Sequence, residues 1–135
     1  MLRPFDYHRP RTLDEACALG ATLADAAFLA GGTDLIVKIR DGKHRPKNVI
    51  DLKGVAGLGR VRRDGGRLVI GALATISDLL RADDVRDEPG LAVLREAGVV
   101  FGCEEIRHRA TVCGNVAHAS PGAEYGSPMF VLEAE

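Results

Sequence analysis

The chain has 135 residues, 46% of them hydrophobic and 27% charged, with a formal net charge of −1 at pH 7. That is the composition of a globular protein long enough to enclose a core, and a charge so near zero argues against a nucleic-acid or membrane-surface role. No apolar run approaches the roughly 20 residues of a membrane span, and the opening M-L-R-P-F-D-Y-H lacks the apolar core of a signal peptide, so the expected compartment is the cytoplasm.

In chain order, residues 5–8 read as a short strand closed by Arg9-Pro10. Thr12 opens a helix, and Glu15 three positions later completes a capping-box pattern. Leu13, Ala16, Cys17, Gly20 and Leu23 follow helical spacing, which predicts Cys17 as a small core residue and Gly20 as a weak point. Residues 25–30 form the next strand. It runs into the stretch F-L-A-G-G-T-D-L-I-V, Phe28 to Val37. Apolar residues lead into Gly31-Gly32, and the apolar pattern resumes as a helix capped by Thr33 or Asp34. Glycines there permit positive φ and leave no side chain over the backbone. N–H groups facing outward at a helix start favour an anion, above all a phosphate. The alternative is a structural turn. The helix ends near Asp41-Gly42 with Lys38, Arg40 and Lys43 at its C-terminal side. Pro46 leads to a buried strand, Val49-Ile50-Asp51-Leu52. The β-α-β-α-β order predicts a small parallel lobe over residues 1–53.

The pattern then changes. Residues 58–63 and 67–70 read as two strands around Asp64-Gly65-Gly66, a hairpin signal. Thr75 or Ser77 caps a helix through Leu79 and Leu80, and Pro89 precedes another helix over about 91–97. Residues 54–135 are therefore expected to form an antiparallel lobe carrying helices.

Between Val99 and Pro121 polar groups accumulate. Glu104 and Glu105 read as neighbours in an extended segment facing opposite sides, an arrangement unsuited to sharing a proton. Cys103, Cys113, His108 and His118 match no zinc or iron–sulfur spacing, so no metal ligand is assigned. Ser77, Ser120 and Ser127 lack a nucleophile-elbow setting, and no catalytic side chain is assigned. Any redox or transfer chemistry would fall to a cofactor. A second glycine loop, T-V-C-G-N-V-A-H-A-S-P from Thr111 to Pro121, is centred on Gly114-Asn115. Two such loops grip the two phosphates of one dinucleotide, or form two unrelated turns. Neither matches the Rossmann or P-loop fingerprint.

Three stretches carry a resemblance: F-D-Y-H-R-P with T-L-D-E-A at the start, L-A-G-G-T-D-L from Leu29 to Leu35, and I-R-H-R-A-T-V-C-G-N-V-A-H-A-S-P from Ile106 to Pro121. With Asp51-Leu52 and Leu68 to Ala72 between them, the chain resembles the FAD-binding medium subunit of the molybdenum hydroxylases, the carbon monoxide dehydrogenase and xanthine dehydrogenase family. The resemblance implies an α+β fold of the p-cresol methylhydroxylase type, a small parallel βαβαβ lobe followed by an antiparallel lobe with helices, and FAD between them. It places Ala30, Gly31, Gly32, Thr33 and Asp34 around the FAD phosphates, and Thr111, Gly114 and Asn115 in a second cradle. Glu124 would stand near the flavin, with Ala72 and Thr75 close to the cofactor at the lobe interface.

The family's second loop usually reads T-I-G-G-N, and Cys113 here replaces its first glycine. That substitution predicts a side chain in the way of a close backbone approach. Ser120 and Glu124 replace more usual aspartates. Members run to about twice this length, so a truncated form, or a second polypeptide supplying the C-terminal part, is expected. The implied function is an electron-transfer flavoprotein subunit of an FAD-dependent oxidoreductase. Electrons would pass from iron–sulfur clusters on a partner, reduced in turn at a molybdenum-cofactor subunit, through FAD to an external acceptor. The alternative is a truncated, flavin-free scaffold acting only in subunit assembly.

Overall fold

The computed structural model describes residues 4–135; Met1 to Arg3, part of the segment read above for a leader, lie outside the described residues. The chain divides into two compact units, Met1–Gly57 and Leu58–Glu135.

In the first unit, β1 (Asp6–His8), α1 (Leu13–Thr22), β2 (Ala26–Leu29), α2 (Leu35–Arg40) and β3 (Asn48–Asp51) alternate along the chain. The strands form one sheet in the order β1-β3-β2, parallel throughout, with Tyr7 and Ala27 both opposite Val49. The middle of the central strand β3, Val49-Ile50, is apolar because the strand has neighbours on both edges. Val49 and Ile50 are fully buried, and so is most of Asp51. Ala16, Ile39 and Val55 complete this core.

Several local expectations are corrected here. Thr12 caps α1 by accepting from the Glu15 N–H at 3.1 Å, but the Glu15 carboxylate accepts from Arg11 N–H, one residue before the cap. Cys17 is exposed, and so is Leu13, because α1 turns Ala16 inward with Leu19, Gly20 and Leu23 half-buried beside it. The stripe that faces the sheet runs through 16, 19, 20 and 23, and Cys17 falls off it. Gly20 also makes room: a Cβ there would strike the ring of Phe28 on β2, which lies over the helix at that point. β2 starts at Ala26 because Asp25 turns the chain with φ 52, its carbonyl accepting from the N–H groups of Lys47 and Asn48.

In the second unit, β4 (Val61–Asp64) and β5 (Arg67–Ile70) form an antiparallel hairpin. Its two turn residues, Gly65 and Gly66, both have positive φ, as this tight connection requires. Helices α3 (Ile76–Arg81), α4 (Asp83–Arg86), α5 (Ala92–Val100), α6 (Glu104–Arg107), α7 (Val112–His118) and α8 (Gly126–Val131) follow. Their core joins Ile76, Leu79, Val85, Leu94, Phe101, Ala110, Val112 and Tyr125, with Ile70 and Leu68 of the hairpin packed against it.

Residues 104–107 are helical, not extended. Arg107 lies on this short helix and donates to the carbonyls of Val99 and Phe101 at 3.2 and 3.0 Å, satisfying the end of α5. Glu104 and Glu105 occupy its first turn, where negative charge is favoured.

Candidate functional site

The first glycine stretch leaves β2 at Leu29 and enters α2 at Leu35. Ala30, Gly31, Gly32 and Thr33 are half-buried and Asp34 is exposed. Asp34 stands at the N-cap but makes no side-chain capping bond, so neither expected cap residue closes this helix start in the usual way. Gly32 has φ +81, and its carbonyl accepts from Ile36 N–H at 3.1 Å. A Cβ built at Gly32 would lie 3.0 Å from Leu29 Cδ1 and 3.3 Å from Ile36 Cγ1. The turn thus requires glycine twice over, for its left-handed backbone and for space.

A buried polar node braces this turn, and the sequence reading missed it. Asp51, only 4% exposed, ends the central strand. Its carboxylate accepts from the Tyr7 hydroxyl of β1, and from the Lys53 N–H at 3.0 Å. Lys53 Nζ sits 2.6 Å from Asp51 Oδ1 and donates to the Ala30 carbonyl at 3.3 Å. Burial alone would push the Asp51 carboxyl up. The hydrogen bonds from Lys53 and Tyr7, with the Lys53 charge, outweigh it and hold the group below its usual range. The same bond to Asp51, followed by desolvation, pushes the Tyr7 phenol up, so Tyr7 remains the donor. The signal in the sequence was an aspartate directly after two buried β-branched residues, a position where a charge needs partners.

The second unit brings Thr75 and Thr111 together. They pair as an isolated antiparallel bridge, with Ile76 N–H donating to Ala110 O at 3.0 Å and Val112 N–H to Ala74 O at 3.1 Å. Each threonine also caps the helix that follows it. Thr75 and Asp78 form a full capping box on α3. Thr111 Oγ1 accepts from Gly114 N–H at 3.1 Å on α7. Two helices therefore start side by side. What reads in sequence as a second loop is mostly α7, ended by Ala119 at φ 51. Gly114 is required by the cap, since a Cβ there would stand 2.5 Å from Thr111 Oγ1. The Asn115 side chain ties α7 to the next segment: its amide donates to Glu124 Oε2 at 3.2 Å, and its carbonyl accepts from Tyr125 N–H at 3.1 Å. Ala72 is half-buried in the connection after β5, between Gly71 and Leu73, whose N–H groups donate to Arg60 and Leu58. Thus Thr75, Thr111 and Gly114 belong to one cluster of capped helix starts, extended to Glu124 through Asn115.

Cys113 carries no backbone strain. It lies within the first turn of α7 in helical backbone, and positive φ among described non-glycine residues is confined to Asp25, Ala119 and Glu133. Its Sγ is half-buried 3.7 Å from Ile70 O and 3.8 Å from Gly71 O, and burial pushes the thiol up. Cys113→Gly is therefore expected to remove packing and add chain entropy, destabilising the protein by about 1 kcal/mol with no gain in cofactor affinity. Thermal melts alongside a flavin titration check this; tighter binding by the glycine variant would show that the side chain does obstruct a ligand.

Among the described residues, no group of three or more His, Cys, Asp or Glu side chains could hold a metal ion, and no helix is long and apolar enough to cross a membrane.

Set beside known proteins, these features fall in the class of flavin-binding domains of oxidoreductases. The family described as the FAD binding domain in molybdopterin dehydrogenase matches residues 3–135, and the chain belongs to that family. It is 33% identical over 131 residues to the carbon monoxide dehydrogenase medium chain of Hydrogenophaga pseudoflava, covering 96% of this chain and 45% of that one. It is 32% identical over 135 residues to the nicotinate dehydrogenase FAD-subunit of Eubacterium barkeri, covering 98% and 45%. Among solved structures, reconstituted CO dehydrogenase from Oligotropha carboxidovorans superposes with a TM-score of 0.86 at 34% identity, over 91% of this chain and 43% of that chain. Quinoline 2-oxidoreductase from Pseudomonas putida 86 gives 0.84 at 27% identity, over 91% and 42%. The chain thus spans just under half the length of the relatives it matches.

Proposed function

We propose that this chain is the FAD-binding part of an electron-transfer subunit in a cytoplasmic molybdenum hydroxylase-type oxidoreductase. The observation that carries the reading is the Gly31-Gly32 turn at the start of α2. Gly32 holds a left-handed conformation, and a Cβ there would press on the side chains of Leu29 and Ile36. Such a turn offers backbone N–H groups to an anion at close range. In this reading Ala30, Gly31, Gly32, Thr33 and Asp34 hold FAD phosphate. Thr111, Gly114 and Asn115 shape a second contact region, with Ala72 and Thr75 beside the cofactor and Glu124 near the flavin.

The hydroxyl of Thr111 and the amide of Asn115 are already engaged within the protein. Their part is to set the backbone at the start of α7. FAD supplies acceptance and onward donation of electrons when bound; the chain's residues bind and orient it, and none is assigned an acid–base role. Partners are an iron–sulfur subunit and a molybdenum-cofactor subunit of the same complex.

The test is the colour of the purified protein and the identity of the flavin it releases. FAD, bound in preference to FMN, is the expected result, because a pyrophosphate suits two anion-binding regions. Release of FMN alone, or equal affinity for both, overturns the two-region reading, and a protein that takes up no flavin points to the assembly scaffold instead.

A further inference from the structure

The polar node on Asp51 has a geometry that a purely structural ion pair does not need. Asp51 is the one charged residue in the buried core of the first unit among the described residues, and it sits at the end of the central strand. It opens a 3-10 turn, Leu52–Gly54, in which Gly54 packs so closely on the Pro10 carbonyl that a Cβ would clash with it. That packing fixes where the Lys53 side chain starts. From there Nζ reaches back past Asp51 to the Ala30 carbonyl, the first peptide of the glycine turn. A lysine side chain 37% exposed loses considerable rotamer freedom when held at two points. The two acceptors together, one a buried carboxylate, offset that cost.

We propose that Lys53, seated on Asp51, is a positioning residue for FAD: by holding the Ala30 carbonyl it keeps the Gly31-Gly32 turn in the shape that takes a phosphate. This rests on the FAD reading of that turn. The Lys53 charge is balanced by Asp51, so its contribution is geometric; it is not a free cation attracting the phosphates. Tyr7 completes the arrangement by occupying the other carboxylate oxygen, which leaves Oδ1 to Lys53 alone.

The experiment compares FAD dissociation constants of the wild type, Lys53→Met, Lys53→Arg and the double variant Asp51→Asn/Lys53→Met, together with amide hydrogen exchange across residues 30–35 in FAD-free protein. The double variant leaves no unpaired buried carboxylate, so it keeps the comparison usable if Lys53→Met alone does not fold. The expected result is about tenfold weaker FAD binding and faster exchange of the turn in Lys53→Met and in the double variant, with wild-type behaviour within twofold in Lys53→Arg, which can make both contacts. Wild-type affinity in Lys53→Met, recovery of affinity in the double variant, or equal loss in the Arg and Met variants overturns the positioning role while leaving the FAD reading intact. Absence of FAD binding by the wild type overturns the FAD reading and this inference with it.

Discussion

Gly32→Val is expected to abolish measurable FAD binding, by at least a hundredfold in affinity, while the far-ultraviolet circular dichroism of the fold is retained. The backbone at 32 is left-handed at φ +81, a region a β-branched residue enters only at a cost of about 1–3 kcal/mol. The new side chain would also press on Leu29 and Ile36, which lie 3.0 and 3.3 Å from the first atom it adds. Relieving the backbone strain rotates the 31–33 peptides out of their present shape, and in the FAD reading those peptides carry the N–H groups that meet the phosphate. β2, which leads into the turn, is held to β3 by their parallel ladder, so the damage stays local. A flavin titration of the variant against the wild type reads the effect. Unchanged affinity would show that this turn is structural only and that the cofactor, if bound, is held elsewhere.

Tyr125→Ala is expected to cost the second unit about 3–5 kcal/mol, the range for removing a large aromatic side chain from a core. Tyr125 is completely buried, donates its hydroxyl to Leu94 O at 3.3 Å and stacks at a tilt on Phe101, with ring centroids 6.3 Å apart. Burial keeps its phenol protonated far above neutral pH. The packing around it is close: a Cβ at Gly98 would lie 2.7 Å from the Tyr125 oxygen and 2.9 Å from Leu80. Tyr125→Phe removes only the hydroxyl bond, for about 1 kcal/mol. Urea unfolding of both variants separates the terms. A loss below 1 kcal/mol for the alanine variant would mean that α8 and its approach contribute little to this core. Because Asn115 also binds the Tyr125 N–H, the alanine variant should keep that tie while losing the packing of the ring and the hydroxyl bond to Leu94.

The parallel alternation of the first unit was legible because its signals are local. A capping threonine, a glycine pair between apolar runs and a proline before a buried strand each act within a few residues. The hairpin was legible for the same reason, since Gly65 and Gly66 satisfy a turn that few other residues can make. The family resemblance rests on two such glycine-bearing stretches in order, and the match over residues 3–135 agrees with it.

Where the sequence misled, the deciding contact lay far along the chain. Cys17 fits an apolar helical pattern, but which face of α1 turns inward depends on the sheet it packs against, and that face is centred on Ala16. Glu104 and Glu105 read as extended because nothing nearby marks a helix; Arg107 bonding back to the end of α5 holds that turn. Comparison with a glycine pointed to a strained position at Cys113, yet its backbone is helical and its sulfur turns toward Ile70 and Gly71.

By itself, then, the sequence determined what short-range chemistry can determine: the alternation of strands and helices in the first unit, the hairpin that opens the second, the turns that need glycine, and the family to which their arrangement belongs. Only the tertiary structure decided which polar groups are already engaged. Tyr7, Asp51, Lys53 and Ala30 are scattered over the first unit and share no motif. They meet because parallel pairing sets β1 and β2 on either side of β3, bringing a phenol and a loop carbonyl to the end of one buried strand. A buried carboxylate must find its partners wherever the fold delivers them, and no pattern along the chain records that distance.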